Sequence, residues 1–534
     1  MIANRTRPVV GGLNGAVASA HPLASQAGLA VLQKGGNAVD AVVAMAAALN
    51  VVEPYMSGVG GVGFLLLRLA DGSTKVLNFS GNTPENATPD KLTPEAQDVG
   101  PRSCLIPGNV AGWFEALEKH GTMEARELFS PAIKHAEDGF PLHPTNASMI
   151  ERARPRLNQA GQQIFDIPLR IGAVVRQPDL AKSLKAIAAN GPDYFYRGPI
   201  GLKIADYIQS VDGLLTRDDL ANYQVEWQEP VSVNYRGLTV NTCPPNCEGF
   251  QMLQTLKLLE PTDLRSLGHN STDYIHTVSE AMKLAVADRI QWCGDPNFID
   301  IPLDRLLSAE YAVKRRQLMN PDKASLSEGE RWMGARREEV ISPGKVDGLT
   351  THLTAVDASG NVASITQSLG NGFGSGVYCA DTGICLNNFI YWTEIDPSCP
   401  TPNLLEPGKR WACCMSPLHV ADGENFWFSM ATPGSYGILQ TTVQMMLNVV
   451  EFNADVQLAI DAPRFRLFEN TKMQIETRVP ESVRQELELR GHELDLIGDY
   501  SLFVGGGQSV MIDVDSDARL AGADPRRDGY ALAY

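Results

Sequence analysis

The chain reads as a layered α/β protein, and its pattern supports this in three ways: apolar residues recur at helical spacing through much of the first half, short alternating strands appear after residue 350, and helical segments return near the C-terminus. Residues 22–50 read as a helix. Its apolar core, Ala41 to Leu49 and on past Asn50 through Val52, is too short to span a bilayer and suits a buried Ala-rich segment. A strand pair comes next at 62–69 and 75–80, turning at Asp71-Gly72. Residues 106–280 are mostly helical with loops, and helices are expected at 109–119, 127–137, 178–189, 200–210 and 272–289. After Thr350 come strands at 351–356, 362–369, 382–388 and 426–431, a helix at 436–450 and a strand–helix–strand unit over 472–513.

At 534 residues the length alone allows several domains, yet no charge run or Pro/Ser-rich linker divides the chain, so one large body is expected. Lys and Arg number 45 against 62 Asp and Glu, a formal charge of −17. That argues against nucleic-acid or anionic-membrane partners and favours a small-molecule or peptide substrate. Met1 to Arg7 starts positive, but Gly11, Gly12 and Asn14 come before any uninterrupted apolar core can form; no signal peptide is read and a cytoplasmic protein is expected. Nine cysteines, an odd count without a CxxC pair, are then reduced thiols. No cysteine cluster has histidines at ligand spacing, so neither a metal nor a cofactor is expected.

The chemistry concentrates in Asp347-Gly348-Leu349-Thr350-Thr351-His352. Pro343, Gly344 and Gly348 precede the threonines and β-formers succeed them, so the pair should sit where a loop becomes a strand, with Asp357 to Asn361 turning a hairpin. A threonine hydroxyl is a weak nucleophile without a neighbouring base, and an N-terminal threonine carries that base in its own α-amine. Thr350 obtains a free amine only if the Leu349–Thr350 bond breaks. Thr-Thr-His alone is ordinary strand sequence, and its context decides.

The block resembles the start of the small subunit of the γ-glutamyltransferase family, N-terminal-nucleophile hydrolases made as one self-cleaving precursor. Other stretches resemble that family in the same order: Ala20 to Gly28 leading into Gly35-Gly36-Asn37-Ala38-Val39-Asp40-Ala41, Val52-Glu53-Pro54, Ser57 to Gly61, Pro107 to Trp113, Glu280 to Ala285 with Ala287-Asp288-Arg289, and Gly522 to Gly529. The resemblance implies a four-layer αββα sandwich, a large subunit 1–349 and a small subunit 350–534 beginning at the nucleophile. A heterotetramer of two processed copies is an assembly it allows. It assigns Thr350 as nucleophile and Ser368 as the hydroxyl that orients it. His352 lies two residues beyond, on the same strand face, and reads as structural. Thr432-Pro433-Gly434-Ser435 comes after an apolar strand, so the backbone amides of Gly434 and Ser435 are candidates for the oxyanion hole. The family has two glycines there. If the second position needs φ > 0, Ser435 is strained; otherwise its N–H serves equally well.

Substrate recognition departs from the family. Ser80 stands where an arginine binds the α-carboxylate of the γ-glutamyl group, Trp392 where an aspartate receives the α-amine, Cys413-Cys414 where paired serines line the site, and Gly370 where an asparagine is usual, with Asn371 next door. A zwitterionic head cannot be held there by charge pairing. Phe389, Tyr391 and Trp392 suggest a flatter or more apolar acyl group, and Arg102 and Arg410 are candidates for a relocated anion clamp. The pattern resembles the family's amidohydrolase and acylase branch, which includes oxamate amidohydrolase and cephalosporin-type acylases. Three readings stand open: an amidohydrolase of a small amide such as oxamate or of an acyl-amine, a glutathione hydrolase or γ-glutamyltransferase with a rebuilt clamp, and a binding protein that never matures.

Overall fold

The computed structural model describes residues 5–326, 349–399, 401–468 and 470–534. The loop expected at Pro343, Gly344 and Gly348 lies outside these residues. Two seven-stranded sheets form the centre. The first runs, in spatial order, Val10–Gly12, Arg519–Ala523, Gln508–Ile512, Asn425–Ala431, Leu418–Asp422, Leu238–Thr242 and Val231–Tyr235. The second runs Tyr530–Ala533, Ala16–Ser19, Leu349–Val356, Val362–Gly370, Val62–Arg68, Thr74–Phe79 and Glu226–Gln228. All pairings in both are antiparallel.

Because strand side chains alternate between faces, each sheet buries one face under helices and the other against its partner sheet. Leu65, Leu67, Leu353 and Ile365 of the second sheet share a core with helices Pro22–Gln33 and Ala38–Val52. Val240, Leu418, Val420 and Phe428 of the first pack with helices Phe250–Leu259, Thr272–Trp292 and Ile438–Val450. Between the sheets lie Ala18, Val356 and Val510 and a hydrogen-bonded seam. There the Ser364 hydroxyl meets Ser429 Oγ at 2.7 Å and His419 Nε2 at 3.0 Å, and Thr354 Oγ1 meets Ser429 Oγ at 3.1 Å. The fold is the expected four-layer αββα sandwich.

The segment read as one helix over 22–50 is two. Gly35, at φ +90°, ends the first. Asn37 caps the second by accepting from Val39 N at 2.9 Å and Asp40 N at 3.0 Å, and Asp40 closes the capping box on Asn37 N. The Asp357 carboxylate accepts from Ala38 N at 3.0 Å, which ties the Asp357–Asn361 turn of the central hairpin to this helix start. Strands Glu226–Gln228, Val231–Tyr235 and Leu238–Thr242 lie inside a stretch read as helical and loop. The strand expected at 382–388 is only Ile384–Cys385, paired with Tyr378–Cys379 and succeeded by a 3₁₀ turn at Phe389–Trp392. Among the described residues, no helix is long and apolar enough to cross a membrane.

Candidate active site

Thr350 sits near the start of a central strand, 3% exposed. Its strand pairs with Val362–Gly370 in regular antiparallel register from Thr351↔Gln367 to Val356↔Val362, and the register shifts between Leu349, opposite Gly370, and Thr350, opposite Ser368. Leu369 is the extra residue. It leaves the ladder to donate to Met56 O at 3.0 Å and to accept from Asn388 N at 2.9 Å, as in a β-bulge, which re-aims neighbouring side chains. The result is a compact hydrogen-bonded group. Thr350 Oγ1 donates to Ser368 Oγ at 3.3 Å, Ser368 Oγ donates to Leu349 O at 2.7 Å, and Gly370 N donates to Ser368 Oγ at 2.8 Å.

Behind this group, Arg527 Nη1 donates to Thr350 O at 3.3 Å and Thr351 Oγ1 donates to Glu53 Oε2 at 3.0 Å. Burial lifts the Glu53 carboxyl to about 7 even though the Arg527 charge and the Thr351 hydrogen bond pull it down. His352 meets Thr366 Oγ1 at 2.8 Å, and burial drives its pKa to about 3, so it is neutral. His419 is likewise lowered to about 3 by burial, with its Nε2 engaged in the inter-sheet seam. Neither histidine has the pKa of a base poised for neutral pH.

The Gly434–Ser435 turn precedes helix Ile438–Val450. Gly434 adopts φ +133° and Ser435 φ +55°, so the second position does require a left-handed residue and the serine there is strained. Gly506 N donates to Thr432 Oγ1 at 2.7 Å, and a Cβ on Gly434 would lie 3.6 Å from Gly505 Cα. Gly506 in turn leaves no room for a side chain beside Arg527, whose Cδ is 2.6 Å from where a Cβ would stand. Thr350 and the loop supporting the Gly434 turn therefore both contact Arg527.

The positions that depart from the family pattern are joined to one another. Gly370, at φ +109°, has no space for a side chain: a Cβ would lie 2.1 Å from Asn388 Oδ1 and 3.1 Å from Trp392 Cζ3. Asn371 donates from N to Asn388 Oδ1 at 3.0 Å and from Nδ2 to Asp98 Oδ1 at 2.7 Å, and Asp98 forms a fully buried ion pair with Arg156 at 2.9 Å. Trp392 packs on Phe389, which stacks on Trp411 with ring centroids 4.4 Å apart. Trp411 Nε1 donates to Ser80 O at 3.0 Å, Asn246 Nδ2 donates to Ser80 Oγ at 3.1 Å, and Cys413 N donates to Asn246 O at 2.9 Å. Burial raises the thiol pKa of both Cys413 and Cys414 well above the ordinary range.

Arg102 is not brought to this group. It forms an ion pair with Asp212, donates from Nε to Asp212 O at 3.0 Å and from Nη1 to Lys91 O at 2.8 Å, so all three nitrogens serve a structural contact and not an anion clamp. Glu53, Asp98, Arg156, Asn246, Asn388 and Arg527 were given no role by sequence reasoning, although Glu53 and Arg527 fall inside the stretches that carry the family resemblance. Among the described residues, His276, Glu280 and His492 bring possible metal-ligand atoms within 4.8 Å of one another. Here His276 Nδ1 and His492 Nε2 are hydrogen-bonded at 2.9 Å and Glu280 pairs with Lys283 at 2.8 Å.

Comparison with known proteins agrees with this architecture. The family described as Gamma-glutamyltranspeptidase matches residues 24–534. The "Glutathione hydrolase proenzyme" of Bacillus subtilis (strain 168) is 35% identical, over 98% of this chain and 92% of that protein. The "Acylase ACY 1 proenzyme" of Pseudomonas sp. (strain SE83) is 36% identical, over 98% and 94%. The crystal structure of cephalosporin acylase from Bacillus halodurans superposes with a TM-score of 0.90 at 32% identity, over 100% of this chain and 98% of that one.

Proposed function

Because the chain belongs to the gamma-glutamyltranspeptidase family, we propose that it is a self-processing amidohydrolase whose nucleophile is Thr350. Cleavage of Leu349–Thr350 would yield subunits 1–349 and 350–534, which stay one body because both contribute strands to both sheets. The observation that carries this reading is the Ser368 hydroxyl, hydrogen-bonded at once to Thr350 Oγ1 and to the carbonyl of the bond to be cut. In maturation, Thr350 Oγ attacks the Leu349 carbonyl, the C–N bond gives way to an ester, the nitrogen leaves as the Thr350 α-amine with the hydroxyl proton, and water hydrolyses the ester. In turnover, the same oxygen attacks the substrate amide, its proton passes through the α-amine to the departing amine, and water or an acceptor amine releases the acyl group. The amides of Gly434 and Ser435 are our candidates for the oxyanion donors, each worth about 3 kcal/mol of barrier.

The acyl donor we propose is not a standard γ-glutamyl compound. The group formed by Ser80, Asn246, Gly370, Asn388, Trp392, Trp411 and Cys413 consists of aromatic, amide, hydroxyl and thiol side chains, and the nearby Asp98–Arg156 charges are paired with each other. Simple amides or acyl-amines fit such a lining better than a zwitterion. The test is intact mass for self-cleavage, with Thr350→Ala expected to remain one inactive chain, and then ammonia or amine release from a panel of amides. A second reading, a glutathione hydrolase with a rebuilt clamp, is favoured by the 35% identity to a protein of that name, close to the 36% for an acylase. Glutathione turnover with kcat/KM above about 10⁴ M⁻¹ s⁻¹, an ordinary enzyme value, would establish it.

A further inference from the structure

A second polar group, sharing no residue with that around Thr350, joins the proposed large subunit to the proposed small one. His276 and Glu280 stand one helical turn apart on the same face of helix Thr272–Trp292. His492 comes from the other half of the chain. Helix Glu481–Leu489 ends in a left-handed Gly491, at φ +93°, with His492 N donating to Leu487 O at 3.1 Å, and that turn brings the imidazole to the first helix. All three side chains are buried, and their possible ligand atoms lie within 4.8 Å of one another. No cysteine marks the group and its histidines are 216 residues apart, so ligand spacing along the chain gives no sign of it.

The hydrogen bonds already present suit a metal ion. Asn320 O can only accept, so His276 Nε2, 2.7 Å away, carries the ring hydrogen, and Nδ1 of the neutral ring keeps a lone pair turned toward His492 Nε2 at 2.9 Å. A carbonyl on the far nitrogen commonly supports a metal-bound imidazole in this way. His492 Nδ1 is buried and has no hydrogen-bond partner among the described residues, so hydrogen bonding alone does not account for this ring. Glu280 gives Oε1 to Lys283 Nζ at 2.8 Å, and among the described residues its Oε2 is met only by Ser325 N at 3.2 Å. Ligands held tetrahedrally at 2.0–2.1 Å from zinc stand roughly 3.3 Å apart, so the two rings need to separate by only about 0.4 Å. Two imidazoles and one carboxylate favour Zn²⁺ over Ca²⁺ or Mg²⁺. We propose that His276, Glu280 and His492 bind one Zn²⁺, with a fourth position left to water, as a clasp between the two subunits. The site is complete whether or not the Leu349–Thr350 bond is cut. Lys283 opposes the ion, since its ammonium, tied also to Ser325 O at 2.8 Å, stands beside Glu280.

The test takes untagged full-length protein, stripped with a chelator and dialysed against buffered Zn²⁺, and counts the metal by plasma mass spectrometry. One Zn²⁺ per chain should remain, and the Tm should rise by about 2 °C or more over the stripped protein. Co²⁺ in its place should give the strong visible bands of a four-coordinate ion. His492→Gln and Glu280→Gln, which keep a hydrogen-bonding group at each position, should each weaken Zn²⁺ binding by about a hundredfold or more and abolish those bands. Lys283→Met, which removes the opposing charge, should instead tighten binding by about tenfold or more, a gain that a merely hydrogen-bonded histidine pair does not predict. A wild type that takes up no Zn²⁺, metal retained equally in both Gln variants, or binding unchanged in Lys283→Met overturns the proposal. If a variant fails to fold, the wild-type Co²⁺ spectrum decides: four-coordinate bands support the site, and the weak bands of a six-coordinate ion overturn it.

Discussion

The Ser368 hydroxyl donates to the Leu349 carbonyl oxygen at 2.7 Å while accepting from the Thr350 hydroxyl at 3.3 Å. On the proposed mechanism it would polarise the carbonyl under attack in the uncut chain and, once the Leu349–Thr350 bond is cut, would face the new α-amine. Ser368→Ala should therefore slow self-cleavage by about a hundredfold, the scale of losing one oxyanion donor, and Ser368→Thr should restore most of the rate. Intact mass against time reads this directly, and unchanged cleavage in Ser368→Ala would remove Ser368 from the mechanism.

Cys413 and Cys414 are free and buried, and their thiols are held protonated at neutral pH by burial. A protonated thiol is a poor nucleophile. On the proposal that these two thiols line the substrate site and Thr350 is the nucleophile, replacing both by serine should preserve self-cleavage and alter relative kcat/KM across an amide panel. Complete loss of turnover in a folded, cleaved double variant would favour a cysteine mechanism.

The sandwich was readable where helices are long and apolar, and less so at its edges. Val10–Gly12, Ala16–Ser19, Arg519–Ala523 and Tyr530–Ala533 are short, and the pairings of Val10–Gly12 with Arg519–Ala523 and of Ala16–Ser19 with Tyr530–Ala533 join the two chain ends. Gly35-Gly36-Asn37 carried a stop and a cap that an Ala-rich run concealed. Thr350 and Ser368 are legible as a pair through the family resemblance, and the structure sets them opposite each other across one hairpin. Asp98 and Asn246 are not legible in this way, since they reach Asn371 and Ser80 from distant segments. The left-handed Ser435 is a property of its backbone, and its side chain gives no sign of it.

Glu53 supplies a pH dependence. Its pKa rises from 4.5 to about 7, chiefly through burial, so the folded chain holds a proton that the unfolded chain has lost. The associated stability is fully present below pH 4.5 and is lost as pH rises through about 7, one pH unit in that window being worth about 1.4 kcal/mol. In Glu53→Gln that slope disappears. The Tm of the wild type minus that of Glu53→Gln should therefore fall steadily from pH 4.5 to 7, with Glu248, also raised to about 7, cancelling in the subtraction. A pH-independent difference would show that Glu53 stays ionised.

Ser435 and Gly434 make opposite predictions from one backbone argument. Ser435 holds φ +55°, which costs an L-residue roughly 1–2 kcal/mol relative to a right-handed conformation. Ser435→Gly removes that strain and returns part of the gain as extra unfolded-chain entropy, a net stabilisation of about 1 kcal/mol. Gly434 holds φ +133°, where only glycine is at ease, although an added Cβ would meet nothing closer than 3.6 Å. Gly434→Ala should then destabilise by about 1–3 kcal/mol through the backbone alone. If the backbone N–H of residue 435 is the oxyanion donor, Ser435→Gly keeps it and should be both more stable and fully active. A variant with raised Tm and lost turnover would show that the serine hydroxyl, and not the amide, does the work at this turn.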